Sequence, residues 1–148
     1  QLTGGAGADD FVLASAVGSD TITDFLTGTD DIAVRRAVFG IGDGDLLLEG
    51  ARTRAGPGNF DTAAELVIFT ANQGALTADA AATAIGSANA AYAVGDDRLF
   101  VIDNGTSSAV FLFTASDANA QVSAAELTLL ATLTGTASTA VADYLLVA

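Results

Sequence analysis

The stretch GGAGADDFV, Gly4 to Val12, places three glycines ahead of an acid and then an apolar pair. Glycine reaches positive φ without a steric penalty, so Gly4, Gly5 and Gly7 allow a tight turn that aims carbonyl oxygens at one point. Asp9 adds a carboxylate at the end of that turn. Phe11 then opens a short strand, continued by Val12 and Leu13, whose alternate side chains point to opposite faces. The expected unit is a turn, a strand and an oxygen-lined corner.

The spacing meets the nonapeptide G-G-x-G-x-D-x-U-x at every fixed position, a pattern found in parallel β coils that hold calcium. The chain continues in the same style. Ser19-Asp20-Thr21-Ile22-Thr23-Asp24-Phe25 sets an apolar residue between polar neighbours, as a half-buried strand does. Gly28-Thr29-Asp30-Asp31-Ile32 follows, and Thr27 to Asp31 reads as a turn. Two uses of these acids are open: calcium ligation, led by Asp9, Asp20 and Asp24 with Asp10, Asp30 and Asp31 behind them, or plain turn aspartates bounding a hairpin.

Composition favours oxygen chemistry. The chain has 148 residues, 18 acids against 5 bases, and a formal net charge of -13. Such a chain offers no positive face to nucleic acid or to anionic membranes. It has no Cys and no His, and all five bases are arginine. Disulfides, zinc thiolates, His-ligated metals, catalytic His, Schiff bases and a P-loop lysine are therefore excluded. Carboxylate and carbonyl oxygens remain, and these suit calcium or magnesium. Hydrophobic residues make up 51 %, enough for a sizeable core. No apolar run approaches the roughly 18 residues of a spanning helix, so membrane insertion is not expected. The start lacks a basic-then-apolar signal peptide.

Farther along, Arg35, Arg36, Arg52 and Arg54 surround the turn Gly42-Asp43-Gly44-Asp45. Pairing of these arginines with neighbouring aspartates is expected. The turn is either a weaker ion site at Asp43 and Asp45 or a plain hairpin bend leading to a strand at Leu46 to Leu48. Gly56-Pro57-Gly58-Asn59 is the strongest breaker and the expected boundary. Leu66 to Phe69, Leu99 to Ile102 and Val110 to Phe113 are continuous apolar runs, expected as strands buried on both faces. The last two are joined through Asn104-Gly105 as a hairpin. Asp79 to Tyr92 reads as an Ala-rich helix stopped by Gly95. Ser123-Ala124-Ala125-Glu126 is a capping box, and Leu127, Leu130 and Leu133 follow at helical spacing. The similar Thr62-Ala63-Ala64-Glu65 makes a short helix the competing reading before Leu66. Asp143-Tyr144-Leu145-Leu146-Val147 puts one acid before an apolar tail, which as structure is a last strand.

GGAGADDFV with SDTITDFLTGTDDI resembles the last repeat and exit strands of the RTX (repeats-in-toxin) proteins of Gram-negative bacteria. The resemblance implies a calcium-filled β-roll and export through a type I secretion channel. It further implies that Asp9 and carbonyls near Gly5 and Gly7 line one Ca2+, and that Asp20 and Asp24 complete or cap the last sites. Residues Asp97 to Thr136, with AAELVIFT upstream, are similar to the C-terminal bluetail domain of large RTX surface proteins. Acid-then-apolar ends resemble uncleaved type I signals, which assigns that role to Asp143 through Val147.

The expected fold is mainly β: a terminal turn of a calcium-binding parallel β-roll running into a compact β-sandwich-like domain with one or two short helices. Residues 1–34 form the last roll turn, 35–59 a connector and 60–148 the bluetail-like part. Starting at Gln1 without Met, the chain reads as a piece or processed product of a longer one. The expected function is non-enzymatic: a secreted module at the bacterial surface that caps upstream RTX repeats of the same polypeptide, carries the export signal and folds on extracellular calcium. The alternative is a subunit that joins identical copies through sheet edges into a surface layer, filament or adhesive coat. A carboxylate hydrolase using Glu49, Glu65 or Glu126 is the weakest reading.

Overall fold

The computed structural model describes residues 1–148 and is mainly β, with nine strands in two sheets. The strands are β1 (Asp10–Leu13), β2 (Asp20–Ile22), β3 (Asp31–Arg35), β4 (Arg52–Arg54), β5 (Leu66–Phe69), β6 (Asp97–Asp103), β7 (Ser108–Thr114), β8 (Leu127–Leu133) and β9 (Tyr144–Val147). Two helices, α1 (Arg36–Phe39) and α2 (Ala78–Ile85), and two single 3-10 turns complete the chain. The small sheet runs β1-β3-β9 and the large one β2-β8-β7-β6-β5-β4.

The two ends of the chain interlock as stacked parallel coils. Phe11 lies beside Ile32, and Ile32 beside Tyr144, in the small sheet. On the large sheet Leu2 bridges to Ile22, and Ile22 lies beside Leu133. Coil 1 is thus Leu2 with β1, coil 2 is β2 with β3, and coil 3 is β8 with β9. Each coil turns a corner between the sheets and sends apolar side chains inward, so Phe11, Leu13, Ile22, Ile32, Val34, Leu133, Tyr144 and Leu146 are all buried.

Burial on both faces of the large sheet explains its continuous apolar runs. Leu66, Ile68, Leu99, Val101, Val110 and Leu112 pack toward the coils. Val67, Phe69, Phe100, Ile102, Phe111 and Phe113 pack on the opposite face with Phe60, Tyr92 and helix α2. The β6–β7 hairpin forms as expected. Asn104 Oδ1 accepts the amides of Thr106 and Ser107, and Gly105 takes φ 83.

Several expectations are corrected. The helix over 79–92 stops at Gly86, whose N–H caps Ala82. Beyond it Ala88 and Tyr92 donate their amides to Ala120 and Asn119, which ties the segment to residues 119–120 instead of continuing the helix. Of the expected capping box one half forms, the Glu126 carboxylate accepting the N–H and hydroxyl of Ser123, and it closes only the 3-10 turn Ala124–Glu126. The leucines that follow are strand β8, because pairing with β7 and β2 on its two edges outweighs helix propensity. Leu46 to Leu48 is no strand, and Leu46 and Leu47 are exposed. Arg52 donates Nε to the Gly50 carbonyl rather than to an aspartate. Strand pairing runs across the segments 1–34, 35–59 and 60–148: β2 and β3 pair with β8 and β9, and β4 pairs with β5.

Candidate functional site

The coils turn at one corner, where Gly4 to Asp9, Thr23 to Asp30 and Thr134 to Asp143 lie against each other. A cleft of about 770 Å³ opens there, lined on its polar side by Asp24, Thr29, Asp30 and Thr136. Gly5 (φ 96) and Gly7 (φ 129) form its rim in backbone conformations that L side chains rarely adopt.

Backbone amides, rather than a shell of carbonyls, are the recorded partners of the carboxylates at this corner. Asp24 accepts the N–H of Gly4 at 3.0 Å with one oxygen and that of Gly5 at 2.8 Å with the other. Buried Asp30 takes the amide of Asp9 at 3.1 Å and that of Leu26 at 2.8 Å, again with separate oxygens. Asp143, 1 % exposed, accepts the Gly28 amide at 2.9 Å, the Ala140 amide at 2.8 Å and the Thr27 hydroxyl. Charge-assisted hydrogen bonds of this kind contribute about 1.5–3 kcal/mol each. In every case a carboxylate of the later coil holds at least one amide of the coil before it, and Asp30 and Asp143 each hold one amide of their own coil as well.

This arrangement fits a calcium shell poorly at Asp24 and Asp30, since an N–H aimed at an oxygen repels a cation seeking the same oxygen. Six to eight oxygens surround calcium. The site residues expected from the sequence are divided among separate places. Asp20 opens β2 and faces neither cavity. Asp10 and Asp31 are register partners on β1 and β3, so two like charges stand side by side. Asp9 lies in a smaller cavity of about 390 Å³ with Leu2, Thr3, Gly4, Asp10, Phe11 and Val12. Its Oδ2 is buried without a hydrogen-bond partner, tucked over Gly4, where a Cβ would come within 2.7 Å. Asp43, Asp45 and Glu49 form a separate group, with one carboxylate oxygen of each within 4.8 Å of the others. That trio gains Glu49, absent from the sequence-level pair.

Thr27 and Gly28, expected only as part of a turn, donate to Asp143 at this corner, and Thr136 joins them from a distant part of the chain. Thr136 Oγ donates to the Phe25 carbonyl at 2.8 Å. A sequence signal for the third coil exists: Asp10-Phe11-Val12-Leu13, Asp31-Ile32-Ala33-Val34 and Asp143-Tyr144-Leu145-Leu146 each read acid, apolar, any, apolar. The proposed export residues thus form a folded edge strand, with the Tyr144 hydroxyl 2.9 Å from that of Thr139.

The glutamates serve the scaffold. Glu65 Oε2 accepts the Glu49 amide at 3.0 Å; burial raises its pKa, and the neighbouring Glu49 carboxyl adds to the rise. Burial acts to raise the pKa of Glu126 as well, but hydrogen bonds from the amides and hydroxyls of Ser116 and Ser123 outweigh it and lower the pKa. Neither glutamate lines a cavity. No helix is long and apolar enough to cross a membrane. Comparison with protein-family models, with curated proteins and with solved structures gives no match.

Proposed function

We propose that this chain is the non-enzymatic C-terminal cap of a secreted RTX-type bacterial surface protein, closing a β-roll whose other coils precede it in the same polypeptide. One observation carries the reading: in the large sheet the coil stack is open at one end and covered at the other, whereas the small sheet has β1 and β9 as its two edges. Leu2 and β1 form the open end, and β1 is an edge strand. At the far end the large-sheet half of coil 3, strand β8, is covered by β7. A coil array exposes strand edges and an apolar end unless a terminal unit covers them. Head-to-tail stacking of copies is hindered on the large sheet, where β8 is covered by β7, and only β9 leaves a free edge at that end.

Export and calcium belong to this proposal. The unfolded chain carries Asp143 through Val147 as its type I signal, and the segment becomes β9 after passage to the extracellular side. Calcium, scarce inside cells, neutralises the acidic chain outside and promotes folding. Within this chain its place is beside Asp10 and Asp31, whose charges stack in register, with Asp43, Asp45 and Glu49 as a second acidic group. The coils preceding Gln1 would supply the remaining ions.

The test is co-expression of the full chain, fused behind a reporter, with a type I exporter. Export into the medium that is lost on deleting residues 143–148 supports the reading. Equal export with and without those residues contradicts the signal assignment.

A further inference from the structure

Resting on the capping reading, we infer that the Asp9 carboxylate is a docking group for the backbone amides of one further parallel coil, and not an ion ligand. The argument is the direction of the ties already in the fold. Asp24 and Asp30 of coil 2 hold amides of coil 1, and Asp143 of coil 3 holds an amide of coil 2. Asp9 stands in coil 1 where Asp30 stands in coil 2, each one residue before the register pair Asp10 and Asp31. Asp9 lines the cavity at the open end of the stack, and its Oδ2 is tucked against Gly4 without a hydrogen-bond partner. An acceptor withdrawn from water without a donor is costly, and an arriving amide would satisfy it.

The occupant is defined by this chemistry. It is a parallel turn with free glycine amides, followed by a strand that adds to the edge of β1. The interface would repeat the two that already join coils 1, 2 and 3. A second copy of the whole chain does not meet the requirement: at its opposite end β8 is covered by β7, and the turn before the edge strand β9 holds one glycine, Gly135, whose amide already binds Ser107 Oγ.

The experiment places a second copy of residues 1–20 directly before Gln1 of the complete chain and compares it with the unextended chain, both in EGTA and again in calcium. The expected result is a higher Tm in the extended chain and exchange protection of the added glycine amides. Asp9→Ala should erase much of that rise, yet leave the Tm of the unextended chain unchanged or raised; Asp9→Asn serves as the milder variant. An equal effect of Asp9→Ala in both proteins, or an effect seen only with calcium, would overturn the docking role and leave the capping reading standing. An added copy that gains no protection would overturn both.

Discussion

Asp143 accepts the backbone N–H of Gly28 at 2.9 Å across 115 residues of sequence. The two ends of the chain are therefore tied at one corner, and coil 2 is held in place by a residue from the last strand. Asp143→Ala removes the acceptor for two amides and the Thr27 hydroxyl. The expected cost is about 2–4 kcal/mol, from orphaned donors that include charge-assisted bonds. Urea denaturation measures it. A loss below about 0.5 kcal/mol, the range of ordinary surface changes, would mean the ties carry no weight.

The second core centres on Phe100, fully buried with ring centroids of Phe60 and Phe113 at 5.5 and 5.7 Å. Phe100→Ala should cost about 3–5 kcal/mol by loss of transfer energy plus a cavity. Thermal melts should show one shifted transition, because the other face of β6 packs toward the coils and couples both cores.

Much of this fold is legible in the sequence, and the failures have physical causes. The Leu99–Phe113 hairpin reads correctly because its runs are apolar at every position and its turn is Asn-Gly. Strand β8 misleads because the register shifts opposite Val110 and Phe111, leaving Leu130 outside the pairing. That irregularity changes which residues face which core, so Leu127, Leu130 and Leu133 fall three apart and imitate a helix. Helix α2 is shorter than its alanines suggest, since Ser87, Ala88 and Tyr92 pair with residues 119–121 instead of continuing the helix. At the corner, the glycines and aspartates are visible from their spacing. The amide partners are not, because Asp143 and Thr136 arrive from more than a hundred residues away.

Glutamate titration gives opposite slopes at two places. Glu126 has its pKa lowered on folding. Its contribution is present above the unfolded carboxylate range, about 4.3, and is lost as pH falls through the lower folded value. Glu65 has its pKa raised, so its contribution is present below the unfolded value and is lost as pH rises through the folded one. Glu126→Gln should flatten the acid side of the stability profile, and Glu65→Gln should remove the decline on the neutral side. Denaturation midpoints between about pH 3 and 7 check both signs.

Calcium should act where like charges are stacked and not where amides fill the carboxylates. The Tm in calcium should exceed that in EGTA, and Asp10→Asn with Asp31→Asn should shrink the difference. Asp24→Ala should lower the Tm by a similar amount in both buffers, because its partners are Gly4 and Gly5. A calcium response abolished by Asp24→Ala alone would place the ion at the amide corner instead.

The most direct measurement of the capping account is amide hydrogen exchange on the complete chain, alone and preceded by several G-G-x-G-x-D-x-U-x coils. In the chain alone, Asp10–Leu13 form an edge strand paired only with β3. The account predicts that the unpaired amides of this strand exchange quickly in the chain alone and slow to the level of β3 once coils precede Gln1. Equal, rapid exchange of these amides in both proteins would contradict it, since coils that do not join β1 are not being capped.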